Sequence, residues 1–401
     1  MKKLLAITAS AVVLMGATAV LTGPASAKTF KLGLTAPFTG PFAVWGKQFQ
    51  QSVEAFQAAN GDSVNGNKVE IVYRDAGGPN PAKSKQLAEE LVLREKVDML
   101  VGYAFTPNAM AVGKVATQSK TPVIIMNAAT GRITRGSEYY VRVSMTLPQM
   151  VSPMGPWAVK HGIKSAYVLV SDYAPGHDAE VFFAKNFEKA GGKIVGGARM
   201  PLSTTDFSVY VEKALQAKPD ALYMFMPAGA PSIAFVNTYA ERGLKKAGIK
   251  LLGSGETQEL FLPNFSDDVI GTFTSFHYTE TNNRPQNKAL WAALRKTAGP
   301  KAVPDIATLA AWDGMTLIYR ALKKLGPDAK GMDYVNFMKG QKLESARGPI
   351  VIDPDEREVI QNIYIREVRK VNGKLVNVDI ETIPMVKDPW KLENPDRKSV
   401  V

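Results

Sequence analysis

Hydrophobic positions along the chain follow two alternating periods. Short and nearly continuous apolar runs predict strands at 30–35, 69–75, 98–102 and 122–126. Between them, apolar residues recur at helical spacing, as in the segment that begins at Gly46 and carries Phe49, Val53 and Phe56 before it ends near Asn60. Buried strands that alternate with amphipathic helices predict a parallel sheet covered by helices on both faces.

The same pattern begins again after an apolar run at 139–143. It predicts strands at 165–171, 221–226 and 249–253, and a helix over 178–190 that is closed by two glycines. A return strand at 273–278 precedes helices at 285–297 and 306–325, and strand spacing resumes over 349–376. Two consecutive sets of βα units predict an α/β protein with two doubly wound lobes.

The N-terminus has the features of an export signal. Lys2 and Lys3 precede an uncharged apolar stretch, which ends in small residues up to Ala27. We therefore expect residues 1–27 to be a signal peptide cleaved after Ala27, with an uncleaved membrane anchor as the alternative. The chain contains no Cys, so lipid attachment through a thiol is excluded, and no later run approaches the roughly 18 apolar residues of a membrane-spanning helix.

Composition excludes several classes of protein. Without Cys, an exported chain must obtain its stability from burial and not from disulfides. The formal net charge of +12 does not indicate nucleic-acid binding, because the basic residues are scattered and often stand as pairs at predicted helix ends, such as Lys245-Lys246 and Lys323-Lys324.

None of the common catalytic motifs is complete. The segment from Gly40 to Lys47 misses a phosphate-binding loop by one residue, and Gly253-Ser254-Gly255 lacks the third glycine of a dinucleotide fingerprint. The three histidines are far apart and have no motif for zinc. We therefore expect no enzyme, no cofactor and no metal site.

Candidate binding residues lie where predicted strands end, because open α/β sheets bind ligands there. Trp45 ends a loop rich in Pro and Gly after the first strand. It is expected either to form an apolar wall for a ligand or to pack the loop onto the following helix. Thr106 precedes Pro107 and is predicted to cap a helix, whose N-terminus also favours a carboxylate. Tyr103 lies in the same loop.

A third strand end has small residues and a hydroxyl. Ala128, Ala129 and Thr130 follow the strand at 122–126, where a ligand can approach the backbone and the threonine can donate to an oxyanion; an ordinary polar turn is the alternative. In the second lobe, the loop around Tyr173 and the segment Gly253-Ser254-Gly255-Glu256 occupy equivalent strand ends.

These segments together resemble a known family. In order along the chain, TGPFAVWG, VEIVYRD, LVGYAFTPNAMA, PVIIMNAATGRIT, SDYAPGHDAE, AWDGMTLIYRAL and RGPIVIDPDER are similar to periplasmic binding proteins of the leucine/isoleucine/valine type, including relatives that bind aromatic acids. The similarity covers the whole chain after the signal segment, and it is the order and spacing of the motifs that make it specific.

The resemblance implies a type I periplasmic binding protein with three hinge crossings. One lobe is expected to contain residues 28–144 and 279–347, and the other residues 145–278 and 348–401. Thr106 is implied to hold a ligand carboxylate, with contacts from Ala128, Ala129 and Thr130, and Trp45 to line the side-chain pocket.

The acidic residue that receives the ligand ammonium in this family is out of register. Glu256 is displaced by one residue and Gly255 is a rival match, while Tyr173 is the nearest substitute for an expected tyrosine. If Glu256 does not reach the cleft, burying an ammonium is unfavourable. Both ligand classes therefore stay open, a branched-chain amino acid or an aromatic acid such as a benzoate derivative.

The resulting prediction is a monomeric, periplasmic solute-binding protein of an ABC importer. It captures a small carboxylated solute between two lobes and delivers it to a membrane permease. The alternative is a ligand sensor of the same fold that signals to a membrane receptor.

Overall fold

The structure is a computed structural model that describes residues 27–395. The first part of the chain contains β1 (Thr29–Ala36), α1 (Ala43–Asn60), β2 (Ser63–Val64), β3 (Asn67–Asp75), α2 (Pro81–Leu93), β4 (Met99–Gly102), α3 (Thr106–Ala111), α4 (Gly113–Ser119), β5 (Val123–Ile125) and β6 (Tyr140–Arg142). The predicted signal peptide lies outside the described residues, apart from Ala27.

The middle of the chain continues with helices and strands in alternation. It contains α5 (Leu147–Val151), α6 (Met154–Lys160), β7 (Ser165–Ser171), α7 (Ala174–Lys189), β8 (Lys193–Met200), α8 (Ser208–Ala217), β9 (Ala221–Phe225), α9 (Ala230–Glu241), β10 (Lys250–Gly253) and β11 (Phe273–Phe276).

The last part of the chain adds helices that pack on α1 of the first lobe, and strands that extend the second sheet. It contains α10 (Pro285–Ala298), α11 (Ile306–Leu325), α12 (Gly331–Met338), β12 (Lys342–Ser345), β13 (Gly348–Ile352), β14 (Val359–Val371), β15 (Lys374–Val386) and α13 (Pro389–Glu393). Among residues 27–395, no helix is both long and apolar enough to cross a bilayer.

The first sheet has the order β2-β3-β1-β4-β5-β6, and β1, β3, β4, β5 and β6 pair in parallel. Phe30, Leu32 and Leu34 of the central strand β1 have no exposed surface. Both faces of this strand are covered, which explains why its sequence is a nearly continuous apolar run.

The second sheet has the order β12-β13-β14-β11-β10-β9-β7-β8, with β15 also paired to β14. Its strands from β11 to β8 are parallel, while β12, β13, β14 and β15 add an antiparallel extension. The predicted α/β class with two doubly wound lobes is confirmed.

Within the described residues the chain passes between the two lobes three times. It leaves the first sheet after β6, returns after β11 to place α10 and α11 against α1, and enters the second sheet at β12. The exact division into lobes stays a prediction. The chain enters the second sheet before the expected boundary at 348, because β12 and β13 form a hairpin joined by Ala346 and Arg347.

Most predicted elements occur within a few residues of their expected positions. The helix expected over 178–190 begins earlier, at Ala174, with Pro175 in its first turn, where a missing N–H costs nothing. Gly176 lets this turn lie against the end of β7, because a Cβ there would be 1.8 Å from the Ser171 carbonyl oxygen. The first turn of α7 is therefore held against the carboxyl end of β7.

Candidate ligand-binding cleft

A cavity lies between the two lobes. Its walls come from strand ends and helix starts of both lobes and from the crossing segments. The lining residues are Trp45, Ala104, Thr106, Asn127, Ala129, Met145, Leu147, Met150, Tyr173, Pro175, Phe225, Met226, Pro227, Ala228, Ser254, Gly255, Phe276 and Ile306.

Trp45 forms part of the first-lobe wall from the first turn of α1. Its ring stacks on Phe105, with centroids 5.3 Å apart and an angle of 18° between the rings, and it also contacts Phe42. The side chain is 4% exposed, and its Nε1 is buried with no hydrogen-bond partner among residues 27–395. The tryptophan therefore both packs the loop and lines the cavity.

Thr106 stands beside Trp45 in this wall, but its predicted role as a helix cap is wrong. Helix α3 begins at Thr106, and its cap position, Phe105, makes no side-chain cap. The Thr106 Oγ1 instead accepts the Thr130 N–H at 3.3 Å. Because this oxygen serves only as an acceptor within the described part of the chain, its O–H is left to donate to a ligand.

Asn127 and Ala129 complete the polar part of this wall. The Asn127 Nδ2 donates to the Ala104 carbonyl at 2.8 Å, while its Oδ1 is buried and has no partner within residues 27–395. Ala129 is fixed by its carbonyl, which accepts the Leu147 N–H at 2.8 Å. Its small side chain allows a ligand to approach the backbone.

The second-lobe wall is largely apolar. Tyr173 lies before α7 and stacks on Phe225 at 6.3 Å between centroids. Burial raises the pKa of Tyr173, and the nearby Glu256 raises it further, so this hydroxyl stays protonated. Met226 and Gly255 complete this wall.

Glu256 lies behind this wall and not in the cavity lining. Its Oε2 accepts the Ser254 N–H at 2.6 Å, and its Oε1 accepts the Met226 N–H at 3.2 Å. Burial raises the pKa of Glu256 to about 7, although these backbone N–H groups favour the ionised form. Both carboxylate oxygens therefore hold the wall segments together.

Thr130 also lies outside the cavity lining, and its hydroxyl has a protein partner. It donates to Asp178 Oδ2 in α7 of the second lobe, and the Gly131 N–H donates to the same oxygen at 3.1 Å. The Thr130 carbonyl accepts from Arg142 at 2.8 Å. The structure thus uses this turn for a contact between the lobes.

Two further candidates face the interior of the first lobe. Tyr103 has a left-handed backbone with φ of 61° and packs in the lobe core, and the Ala128 N–H donates to its carbonyl. Five candidates therefore line one cavity, namely Trp45, Thr106, Ala129, Tyr173 and Gly255, whereas Tyr103, Ala128, Thr130 and Glu256 do not.

Several lining residues were not predicted from the sequence. Phe225 ends β9, and Met226, Pro227 and Ala228 follow it, so the strand-end rule would have found them if it had been applied to this strand. Phe276 ends β11, so the same rule applies to it. Met145, Leu147 and Met150 follow the crossing after β6, and Ile306 begins α11, so these four have no strand-end signal in the sequence.

The cavity is lined by uncharged side chains in the part of the chain that the structure describes. Within residues 27–395, every lining side chain is apolar or carries only a hydroxyl, an amide or an indole N–H, and none is ionised at neutral pH. The described residues also contain no cluster of His, Cys, Asp and Glu suited to a metal ion.

Comparison with known proteins gives consistent matches. Residues 29–374 match a family model described as periplasmic binding protein. The Leu/Ile/Val-binding protein homolog 6 of Brucella melitensis is 40% identical over 391 residues, which cover 97% of this chain and 99% of that protein.

Two solved structures resemble the whole described fold. The solute binding protein of an ABC transporter from Rhodopseudomonas palustris HaA2, in complex with p-hydroxybenzoic acid, is 40% identical with a TM-score of 0.89, covering 91% of this chain and 100% of that one. A second, from Rhodopseudomonas palustris BisB5 in complex with 3,4-dihydroxybenzoic acid, is 41% identical with a TM-score of 0.87, covering 90% and 99%.

Proposed function

Because the chain belongs to the periplasmic binding protein family and is a solute-binding component of ABC transport, we propose that it binds an aromatic carboxylate that has no amino group. The observation that carries this choice is the absence of any ionised side chain from the cavity lining within the described residues. An α-amino acid would bury an ammonium there without a counter-charge, at a cost of several kcal/mol.

Glu256 supports the same choice. It is the one acidic candidate from the second lobe, but both of its oxygens accept backbone N–H groups behind the wall. Turning it into the cavity would leave the Ser254 and Met226 N–H groups buried and unpaired, which costs about 1–3 kcal/mol for each group. The lining within residues 27–395 therefore offers an ammonium no carboxylate as a charged partner.

The carboxylate has suitable partners on the first lobe. The Thr106 O–H and the Ala129 N–H have no acceptor among residues 27–395 and carry no charge, and bonds from such groups to an anion are stronger than bonds between neutral groups. Trp45 and Phe225 on opposite walls provide flat apolar surface for a ring. The ligands of the two Rhodopseudomonas proteins, both hydroxylated benzoic acids, fit this arrangement.

We extend the proposal to the cellular context. The N-terminal segment directs export, the two lobes close on the solute as a monomer, and the closed form delivers it to a membrane permease without chemical change. Pull-down of a permease by the ligand-loaded protein would support this role, and turnover of the bound acid would contradict it.

A thermal-shift panel on ligand-stripped protein tests the ligand class. It compares acids that differ only in an amino group, phenylacetate with phenylglycine, and adds benzoate, 4-hydroxybenzoate and leucine. We expect stabilisation by one or more of the aromatic acids without an amino group, and none by leucine or phenylglycine. Stabilisation by leucine alone would contradict the proposal.

A further inference from the structure

Two buried polar atoms in the cavity wall have no partner. Trp45 Nε1 and Asn127 Oδ1 make no hydrogen bond within residues 27–395. Both residues are buried, at 4% exposed, and both line the same cavity. Buried polar atoms are nearly always paired, because leaving one unpaired costs free energy. Two such atoms in one wall therefore point to a group that arrives with the ligand.

The orientation of the Asn127 amide is fixed by the protein. Its Nδ2 donates to the Ala104 carbonyl at 2.8 Å, and that carbonyl can only accept. A flipped amide would place two oxygens against each other, so Oδ1 must be the atom left without a partner. An acceptor in this position needs a donor, and neither an ionised carboxylate nor an aromatic C–H edge supplies one.

The orientation of Trp45 is also fixed. Its ring stacks on Phe105 and contacts Phe42, so the indole cannot turn to find another partner without losing this packing. Its Nε1 is a donor only and needs an acceptor. The wall therefore offers one unpaired donor and one unpaired acceptor.

A hydroxyl group satisfies both, because it donates one hydrogen bond and accepts others. We propose that Trp45 Nε1 and Asn127 Oδ1 bind a phenolic hydroxyl on the ring of the ligand, and that this pair makes the protein selective for ring-hydroxylated aromatic acids. This inference depends on the proposed function, which supplies the aromatic carboxylate. In this arrangement Thr106 and Ala129 bind the carboxylate, while Trp45 and Asn127 bind the hydroxyl substituent of the ring.

Isothermal titration of ligand-stripped protein tests the pair. The ligands are 3- and 4-hydroxybenzoate and their isosteres 3- and 4-fluorobenzoate, which are similar in size but have no O–H to donate. For the wild type we expect one hydroxybenzoate to bind at least about tenfold more tightly than its fluoro counterpart, because a site built for a hydroxyl rejects the analogue without it.

Two variants should remove this preference. Trp45→Phe keeps an aromatic ring on Phe105 but lacks the N–H, and Asn127→Leu keeps the volume but lacks the acceptor. In both, the ratio of the hydroxybenzoate and fluorobenzoate dissociation constants should fall toward one, while fluorobenzoate still binds and shows that the cleft is folded. Trp157→Phe, the same change at a buried tryptophan outside the cavity lining, should leave the ratio unchanged.

The outcomes separate the two proposals. If no benzoate binds the wild type, the present inference fails, and the proposed function fails with it only if phenylacetate does not stabilise the protein either. If benzoates bind but the hydroxyl gives no preference, only the present inference is overturned. It is also overturned if Tyr173→Phe abolishes the preference and Trp45→Phe does not, because the hydroxyl is then bound by the second lobe.

Discussion

The two walls of the cleft differ in what they offer a ligand. Within residues 27–395, the first-lobe wall presents two polar atoms without a hydrogen-bond partner, on Trp45 and Asn127, together with the Thr106 hydroxyl, whose oxygen accepts the Thr130 N–H and whose proton is free to donate. The second-lobe wall presents rings, small apolar groups and the hydroxyls of Tyr173 and Ser254. The acid beside it, Glu256, is held behind the wall by backbone N–H groups. We infer that polar recognition belongs to the first lobe and that closing the second lobe mainly removes water.

This division has a physical advantage. A carboxylate that binds first to one preorganised wall keeps part of its hydration until the other lobe closes. An apolar second wall then excludes water and strengthens the hydrogen bonds already formed, because the local dielectric falls. The hydrogen bond from Thr130 to Asp178 joins the two lobes outside the cavity lining.

The strongest test of the first wall is Thr106→Val. This change removes the O–H that is free to donate, so we expect the affinity for the best aromatic acid to fall by about 10- to 100-fold, as is typical of a lost hydrogen bond to a charged group. Isothermal titration measures it. Thr106→Ser is the matched control and should keep most of the affinity; an unchanged affinity in Thr106→Val would show that the carboxylate is bound elsewhere.

The second wall can be tested by adding volume. A Cβ at Gly255 would lie 2.7 Å from Cε2 of Phe276, which also lines the cavity. We expect Gly255→Ala to displace this ring and weaken binding by about 1–2 kcal/mol, in the range for overpacking. An unchanged melting temperature of the free protein would show that the loss of binding is local to the cleft. Unchanged ligand affinity would mean that the Phe276 ring moves aside without weakening binding.

The contact between the walls is tested by Asp178→Ala and Thr130→Val. Each removes a hydrogen bond that links the lobes, so we expect a loss in ligand affinity of about fivefold. The double variant should lose little more than either single one, because both act on the same contact. Additive losses would show instead that Thr130 contacts the ligand directly.

The smallest effect is expected for Glu256→Gln. Since Glu256 does not line the cavity, the affinity for an aromatic acid should hardly change. Burial raises its pKa to about 7 in the folded state, above the ordinary 4.5. Folding then takes up a proton, so its contribution to stability is lost as the pH rises from about 4.5 to about 7.

Thermal unfolding of Glu256→Gln and wild type across this pH range measures that loss. The melting temperature of the wild type relative to the variant should fall as the pH increases. A constant difference would mean that Glu256 titrates normally, and a large loss of ligand affinity would place its carboxylate at the ligand.

The sequence was sufficient for the fold and for part of the cleft. Runs such as 165–171 and 306–325 match β7 and α11 residue by residue, because a buried strand and a long amphipathic helix both have strong periodicity. The strand-end rule led to Trp45, Thr106, Ala129, Tyr173 and Gly255, which share one cavity. Their contacts with a ligand remain a prediction.

Other features depend on tertiary contacts that have no local pattern. Thr106 was expected to cap its own helix, but its oxygen bonds the backbone of a different loop. Asp178, inside a predicted helix, reaches across to Thr130. β8 was missed because it lies at the edge of its sheet, where alternate residues are exposed and the apolar signal is weak.

Titration of ligand-stripped protein with 4-hydroxybenzoate and with leucine, each in the same buffer and on the same preparation, tests the central claim most directly. We expect saturable heat for 4-hydroxybenzoate and none for leucine, because the cavity lining within residues 27–395 has no ionised side chain to pair with an ammonium. Tighter binding of leucine than of 4-hydroxybenzoate would contradict it.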